Sequence, residues 1–399
     1  MNLHWKGIIP VIRNFKRSVA ALGVVAAGSF ALVACNDSGE GEDTTTTDTT
    51  TAETTAAEGT DSEDADSEAS ADGLSGQSGQ LVGEGASSQQ NAMDYFGQQY
   101  AEAVDGASLA YTASGSGSGR TNFIAGQSDF AGSDSPLAEE QVAEAAERCE
   151  GNDAWHLPLV IGPVAIAYNL EGVDEELNLS IPTVAQIFNG EITNWNDDAI
   201  AEENEGVELP DQDISVVYRS DESGTSDNFQ IFLNTATPEN WDTTGQQFPQ
   251  EVGAGANGSN GVATEVSNTP GAITFVEWGF AEQQGLGVAN LDFGSGPVEL
   301  NAENVGVALD ALEFETEGHD MVVSTDALFS QTQEGSYPLI LTPYSIVCSA
   351  GYDEETSNMV KDFLTVSLDS QDDMLQSLGF IPVEGAHAER LQEAIDAIQ

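Results

Sequence analysis

The distribution of charge is the feature that most restricts how this 399-residue chain can fold. All 68 acidic side chains follow residue 35, whereas four of the nine basic side chains precede residue 18. Nucleic acid and anionic membrane surfaces are poor partners for such a chain, because their phosphates would be repelled. The hydrophobic content of 40% is still sufficient for real cores, and the length suggests two domains plus accessory segments. Only five basic residues follow residue 35, so each of them is a candidate for a specific structural or functional role. They are Arg120, Arg148, Arg219, Lys361 and Arg390.

Residues 1–35 are typical of a secretory signal. Four cations between residues 6 and 17 precede an apolar run over residues 19–34, which is short for a membrane span. The run ends in Leu-Val-Ala-Cys, which resembles a bacterial lipobox whose cysteine, Cys35, is diacylated. This predicts an exported lipoprotein, tethered by its acyl chains to the outer face of the cytoplasmic membrane. The alternatives are a plain signal anchor and a buried cysteine that occurs there by chance.

Residues 36–80 are predicted to be a disordered stalk. They contain ten Thr and thirteen Asp or Glu, with no basic and no aromatic residue. Such a segment cannot bury enough apolar surface to offset the entropy of ordering, and its like charges extend it.

The predicted export of the protein indicates the redox state of its cysteines. With Cys35 lipidated, Cys149 and Cys348 remain as a pair in an oxidising exterior, which favours a disulfide. Two separately buried thiols are the alternative.

From Leu81 onward, short apolar runs alternate with amphipathic stretches, which indicates an α/β architecture with mixed sheets. A helix is predicted to open at Ser135-Pro136, with the serine as N-cap. Residues 157–169 are predicted to form one long buried strand. The other predicted strands are 128–130, 214–219 and 339–348, and the other predicted helices are 89–104, 181–188, 223–233, 356–366 and 388–398.

Three Gly/Ser segments, 83–88, 114–120 and 219–226, each precede a helical pattern. A helix N-terminus exposes unpaired N–H groups with partial positive charge, and glycine lets a ligand approach them closely. If the three converge, they form an anion cradle that needs few formal cations. Each segment alone is also consistent with an ordinary helix cap.

Arg219 adds a formal charge to this predicted cradle, and Asp221 could hold its guanidinium in place. A surface ion pair is the alternative. Arg120 could also reach the anion, although a surface role balancing local acids explains it equally well.

Asp134 indicates which anion the cradle takes. A carboxylate among donors repels an anion unless the ligand donates a proton to it, and phosphate near neutral pH carries a proton whereas sulfate does not. Asp134 would therefore select phosphate. An aspartate just before a helix start is, alternatively, a simple cap.

Long stretches of the chain resemble the phosphate-binding protein of the phosphate-specific ABC transporter, a periplasmic-binding-protein type II family. The resemblance is carried by YTASGSGSGRTNFIAGQSDFAGSDSPL, by the Arg-x-Asp-x-Ser-Gly-Thr ending of the stretch 179–229, and by GANGSNGVATEVSNTPGAITFVEWGFA. It covers residue 81 to the end. A departure occurs where the family has Gly-Ala-Gly-Ala-Thr-Phe-Pro and this chain has Gly-Glu-Gly-Ala-Ser-Ser-Gln, which puts Glu84 near an anion site.

The resemblance implies two lobes, each a mixed sheet flanked by helices, with phosphate bound in the cleft between them. It implies crossings near Tyr168 and Tyr337, so that lobe I is 81–167 plus 337–399, lobe II is 168–336, and both Cys149 and Cys348 fall in lobe I. The implied partners are inorganic phosphate and the membrane permease of an ABC transporter, the protein being a monomer without cofactor or metal. The implied ligand contacts are Ser87, Ser88, Ser116, Asp134, Arg219, Asp221, Ser223, Gly224 and Thr225.

Two other functions are compatible with parts of this pattern. A binding protein for another oxyanion, such as sulfate or molybdate, is one alternative, and Asp134 argues against it. An exported phosphoesterase or serine hydrolase is the other. The sequence has no G-x-S-x-G elbow around Ser116 or Ser223 and no H-E-x-x-H motif, and its four histidines are scattered. An enzyme is therefore not predicted.

Overall fold

The structure, a computed structural model, describes residues 73–173, 175–249 and 252–399. The predicted signal, Cys35 and residues 36–72 of the predicted stalk lie outside these residues. Within them, no helix is both long enough and apolar enough to cross a bilayer.

The strands of the two main sheets lie first in one lobe, then in a second, and then in the first again. The first pass through lobe I contains β1 (Gly79–Gly85), α1 (Gln90–Ala103), β2 (Ala107–Thr112), α2 (Ser116–Ile124), β3 (Phe130–Ser133), α3 (Glu139–Arg148) and β4 (Ala154–Leu157). Lobe II contains β5 (Gly162–Tyr168), β6 (Asn178–Ser180), α4 (Ile181–Phe188), α5 (Asp198–Glu203), β7 (Ser215–Arg219), α6 (Gly224–Ala236), β8 (Ala254–Ala256), α7 (Gly258–Asn268), β9 (Ala272–Glu277), α8 (Trp278–Gln284), β10 (Gly287–Val288), β11 (Asn290–Asp292), β12 (Pro297–Val298), α9 (Ala302–Leu309), α10 (Thr325–Phe329) and β13 (Ile340–Leu341). The return to lobe I contains β14 (Tyr344–Cys348), α11 (Glu354–Asp369), α12 (Asp373–Ser377) and α13 (Gly385–Ala397).

Each lobe is built on a mixed sheet flanked by helices, as the family resemblance implies. The lobe I sheet has the order β2-β1-β3-β14-β4, in which β1 is parallel to β2 and β3, and β14 is antiparallel to its neighbours. The lobe II sheet has the order β10-β5-β9-β7-β8, with β13 paired to β5, and a small sheet β12-β11-β6 lies beside it. Strands β8, β7 and β9 are parallel, so their carboxyl ends meet at one edge.

The predicted long strand over residues 157–169 is wrong. The run forms β4 and β5, which belong to different sheets, and residues 158–161 join the lobes. Pro158 has no N–H to donate to a strand ladder, and the backbone turns there, with the N–H of Leu159 donating to the carbonyl of Leu157 at 3.0 Å.

The strand membership also moves the crossings away from the predicted positions near Tyr168 and Tyr337. Tyr168 is the last residue of β5 in lobe II, and the Tyr337 hydroxyl donates to the Val164 carbonyl at 2.7 Å in the same lobe. The return crossing lies at residues 342–343, between β13 and β14. A crossing inside a long apolar run is difficult to predict from sequence, because the residues before and after it are all buried.

The body begins before the predicted limit of residue 80. Leu74 is only 7% exposed, and Asp362 on α11 accepts hydrogen bonds from the backbone N–H groups of Ser75 and Gly76 at 2.8 and 3.1 Å. Gly79 then opens β1. A distant carboxylate therefore orders the end of a segment whose own composition gives no sign of structure.

The helix predicted to open at Ser135-Pro136 begins three residues later, at Glu139. Its N-cap is Ala138, whose N–H donates to the side chain of Gln141 at 3.1 Å. The Ser135 hydroxyl instead donates to Asp227 in lobe II at 2.6 Å, so it does not cap the helix.

Candidate functional site

The carboxyl ends of the parallel strands bring the three predicted Gly/Ser segments together. Strands β1 and β3 pair with Gly85 opposite Gly132, which places the turn after β1 beside Asp134. A side chain at Gly85, where φ is +144°, would overlap the Gly132 carbonyl, so this close approach requires glycine. From lobe II, the first residue of α6, Gly224, faces the same point. A Cβ atom there would lie 2.5 Å from both the Asp134 Cβ and the Ser116 Oγ.

Asp134 lies at the centre of this cluster and is only 4% exposed. Ser88 donates its hydroxyl to one carboxylate oxygen, and Ser116 donates to the other at 3.1 Å. Burial raises the pKa of Asp134 to about 7, and the negative charge of Glu277 contributes to the rise. The two serine hydrogen bonds and the Arg219 charge oppose it. The site therefore contains a carboxyl group poised to hold or release a proton near neutral pH.

Arg219 is a buried cation held by a bidentate ion pair. Its Nε and Nη2 atoms donate to the two oxygens of Asp221 at 2.8 and 2.5 Å. Burial alone would raise the pKa of Asp221, but the hydrogen bonds and charge of Arg219 outweigh it and hold that pKa below its ordinary value. The Nη1 atom of Arg219 donates to the hydroxyls of Thr225 and Ser259, both at 3.2 Å. The guanidinium thus lies at the junction of β7, α6 and α7.

A fourth helix start, which the sequence reasoning missed, joins the cluster. Helix α7 opens at Gly258, whose N–H donates to Asp221 at 3.1 Å. The Ser259 N–H donates to the Ser87 hydroxyl at 3.0 Å, and the two hydroxyl oxygens are also 3.0 Å apart. The signal was present in the sequence, because Ala-Asn-Gly-Ser-Asn-Gly is another Gly/Ser segment before a helix.

The first turn of α6 contributes two hydroxyls that already have partners. Ser223 is the N-cap and accepts the Ser226 N–H at 3.1 Å. Thr225 donates its hydroxyl to the buried Glu277 at 2.6 Å and accepts from Arg219. Stacking of Phe229 on Phe275, with ring centroids 4.4 Å apart, holds α6 against β9. The backbone N–H groups at the start of α6 are the donors that this helix presents.

Arg120 and Glu84 are each held by hydrogen-bond partners other than Asp134 and Arg219. Arg120 is 7% exposed, so the surface role considered for it is wrong, and it donates to Ser133 at 2.9 Å and to Gln141 at 3.0 Å. It thereby braces the segment that carries Asp134. Glu84 accepts from Asn122 of α2 at 2.7 Å, which removes the predicted conflict with an anion.

Direct contacts join the lobes around the cluster. Besides the bond from Ser135 to Asp227, the Gly117 N–H donates to the Glu222 carbonyl at 3.2 Å, and the Asn228 amide donates to the Asp134 carbonyl at 3.0 Å. We refer to these three bonds as the interlobe latch. All the lobe II partners come from the start of α6 or the residues just before it.

The two remaining cysteines lie away from the cluster. Cys149, just after α3, and Cys348, at the end of β14, form a disulfide that links the first and last parts of lobe I.

The cluster is suited to binding an oxyanion. It combines helix N-termini, serine hydroxyls, one arginine and one carboxyl group of near-neutral pKa. In the described part of the chain, no serine hydroxyl of the cluster is hydrogen-bonded to a histidine, and no group of three or more His, Cys, Asp or Glu could hold a metal. The described residues therefore supply neither a serine–histidine pair nor a clustered metal site there.

Comparisons with known proteins agree with this architecture. The family model described as a PBP superfamily domain matches residues 44–371. The phosphate-binding protein PstS 3 of Mycobacterium tuberculosis is 40% identical over 390 residues, covering 96% of this chain and 100% of the relative. The phosphate-binding protein PstS of Xylella fastidiosa is 30% identical over 314 residues, covering 77% of this chain and 82% of the relative.

Solved structures show the same fold at lower identity. A high-affinity periplasmic phosphate-binding protein, PfluDING, superimposes with a TM-score of 0.64 at 23% identity, covering 79% of this chain and 93% of the other. A phosphate-binding protein from Stenotrophomonas maltophilia gives 0.61 at 20% identity, with the same coverage. The two-lobed fold, the extent of the family match and the near-complete alignment with curated relatives together show that this chain belongs to the PstS family of phosphate-binding proteins, within the PBP superfamily.

Proposed function

We propose that this protein captures inorganic phosphate outside the cytoplasm and delivers it to the permease of an ABC-type phosphate importer. The environment of Asp134 is the observation that most strongly supports this function. Asp134 is a buried carboxyl group surrounded by hydroxyl, helix-terminal and guanidinium donors. A charged carboxylate rejects a fully ionised oxyanion but accepts a hydrogen bond from a protonated one, so phosphate is favoured over sulfate. The relatives are named as phosphate-binding proteins, which supports the same ligand and a binding protein rather than an enzyme.

The binding residues are proposed to act in three groups. The turn after β1 and the start of α2 donate from lobe I, Asp134 accepts the ligand proton, and Arg219 with the α6 N-terminus donates from lobe II. Because the Thr225 hydroxyl is already donated to Glu277, Thr225 contributes its backbone N–H. The proposed set is Ser87, Ser88, Ser116, Asp134, Arg219, Asp221, Ser223, Gly224 and Thr225, with Asp221 acting by holding Arg219.

Ligand entry requires the lobes to separate. The donors come from both lobes, and the chain passes between the two main sheets at residues 158–161 and 342–343. The segment after α9 also contacts lobe I, where the Met321 N–H donates to the His156 carbonyl at 3.0 Å and the Val323 N–H donates to the Tyr344 hydroxyl at 3.0 Å. Hinge motion would therefore take place about this side of the molecule, and the interlobe latch would break as the cleft opens. The form with the lobes in contact is the one that docks on the permease.

Attachment to the membrane is proposed through Cys35, with residues 36–72 as the stalk and the folded protein as a monomer. Replacement of Cys35 by serine should release the protein into the medium without changing its affinity for phosphate. Retention of Cys35→Ser on the membrane at the parent level would contradict this lipid anchor.

Uptake of radiolabelled phosphate tests delivery. Cells that have an ABC phosphate permease but lack its binding protein should import phosphate when the parent chain is expressed. Arg219→Gln should abolish the gain, because it removes the charged donor of the cleft. Glu282→Gln, which changes an exposed carboxylate outside the cluster, is the matched control and should import like the parent. Equal import by Arg219→Gln and the parent at equal protein level would contradict the proposed site.

A further inference from the structure

Glu277 is a buried carboxylate that the proposed binding set does not include. It ends β9 and is 1% exposed. One oxygen accepts the Thr225 hydroxyl at 2.6 Å, and the other, Oε2, has no hydrogen-bond partner among the described residues. A buried carboxylate with an unsatisfied oxygen is costly, and packing alone does not explain it.

The topology places Glu277 close to the centre of the cleft. Strand β9 is parallel to β7, so Glu277 and Arg219 end neighbouring strands at the same edge. Glu277 binds Thr225, and the preceding residue, Gly224, faces Asp134 across the lobes. Gly224 alone therefore lies between Thr225, which is bonded to Glu277, and the carboxyl group of Asp134.

The bond to Glu277 also fixes the direction of the Thr225 hydroxyl. A hydroxyl has one proton, and that proton goes to Glu277. The Thr225 oxygen therefore acts as an acceptor toward Arg219 Nη1, at 3.2 Å. The chain Glu277–Thr225–Arg219 orients the guanidinium.

Glu277 also acts electrostatically on Asp134. Arg219 is neutralised by Asp221, and Glu277 forms no ion pair within the described residues. The negative charge of Glu277 contributes to the raised pKa of Asp134. The other titratable or charged groups around the cluster are Tyr111 from β2, Arg120 from α2, Glu84 from β1, Glu222 before α6 and Asp227 on α6.

We propose that Glu277 is a positioning residue that sets the pH above which the cleft rejects fully ionised oxyanions. The inference rests on the proposed phosphate site. With a proton on Asp134, the cleft has one more donor and accepts sulfate. Without that proton, the carboxylate can only accept, so the ligand must supply a proton, as phosphate does. The negative charge of Glu277 favours the protonated form of Asp134. It therefore moves the pH at which sulfate binding is lost toward neutrality.

The ratio of sulfate Kd to phosphate Kd, measured by calorimetry on the full-length protein between pH 5 and 8.5, tests this role. The parent should bind sulfate measurably at low pH. Its sulfate binding should weaken as the pH rises, with the midpoint of the loss near neutral pH. Glu277→Gln keeps an oxygen acceptor for Thr225 but removes the charge, so its midpoint should fall by about one pH unit. At a fixed pH near the parent midpoint, this corresponds to about a tenfold stronger preference for phosphate.

Two further variants separate charge from structure. Glu277→Asp retains the charge and should keep the midpoint close to that of the parent, and it remains informative if Glu277→Gln does not fold. A midpoint in Glu277→Asp shifted as far as that expected for Glu277→Gln would overturn the charge-based role. Glu282→Gln removes a nearby exposed charge and should behave as the parent.

Three further outcomes would overturn the inference. The first is an unchanged midpoint in Glu277→Gln with both anions weakened by the same factor, which indicates a structural role only. The second is a parent whose sulfate binding stays undetectable at every pH while phosphate binds. Failure of the parent to bind phosphate at all is the third, and it would overturn the proposed function as well.

Discussion

Asp134 and Ser116 hold each other by reciprocal hydrogen bonds. The Ser116 hydroxyl donates to the Asp134 carboxylate at 3.1 Å. The Ser116 hydroxyl oxygen in turn accepts the backbone N–H of Asp134 at 3.1 Å. This pair fixes the carboxyl group at the start of α2 and opposite the start of α6. Its orientation is therefore set by lobe I alone, before lobe II closes over the ligand.

Replacement of Asp134 by asparagine should weaken the preference for phosphate over sulfate. The amide retains an acceptor oxygen but loses the negative charge and adds N–H donors, so a fully ionised oxyanion is no longer repelled. We expect the ratio of the two dissociation constants to fall by at least about tenfold, since a hydrogen bond to a charged group is worth about 1.5–3 kcal/mol. Competition titrations at pH 8 measure this ratio. Discrimination equal to that of the parent would remove Asp134 from its proposed role.

Asp134 should also make stability depend on pH. Its folded-state pKa of about 7 is above the ordinary value of 3.8, so the folded protein retains a proton that the unfolded chain loses. This contribution to the unfolding free energy is complete below about pH 4 and is lost as the pH rises to about 7. Its slope cannot exceed about 1.4 kcal/mol per pH unit.

Urea unfolding in phosphate-free buffer, compared between the parent and Asp134→Asn, measures the contribution. The comparison is needed because His387 acts in the opposite direction. Burial lowers its folded-state pKa to about 4, so it stabilises the protein as the pH rises from about 4 to 6.5. That term is common to both proteins and cancels. Parallel stability curves for the parent and the variant would show that Asp134 holds no extra proton.

The interlobe latch should contribute to phosphate affinity without touching the ligand. Ser135→Ala and Asp227→Ala each remove the bond between these two side chains. Each should raise the phosphate Kd by about tenfold, and the double variant should be no weaker than the single ones, because all three lose the same interaction. Additive losses in this double-mutant cycle would mean that the two residues act separately.

Sequence patterns predicted much of this candidate site because its signals are local. The Gly/Ser turns, the Asp134 segment and the Arg219–Asp221 pair each lie within a few residues of a helix start. Glu277 was missed because its role depends on Thr225, about 50 residues earlier in the chain. Ser259 was missed although its Gly/Ser segment before α7 is a local signal of the same kind as the other three. The crossing at 158–161 was hidden for a related reason, since an apolar run looks the same whether it stays in one sheet or enters another.

The disulfide should stabilise lobe I without affecting the ligand. Cys149 and Cys348 close a loop with a sequence separation of 199 residues. Loss of such a bridge typically costs about 2–5 kcal/mol of unfolding free energy. The double variant Cys149→Ala/Cys348→Ala should lose this amount in urea and become insensitive to reductant, with an unchanged phosphate Kd while folded. A parent whose stability is unaffected by full reduction would contradict the prediction.

The most direct test of phosphate capture is calorimetric titration of the phosphate-stripped protein at pH 8, first with phosphate and then with sulfate. The account predicts one phosphate per chain, bound at micromolar concentration or tighter, with no heat from sulfate at the same concentration. Equal binding of the two anions, or no binding of either, would contradict it.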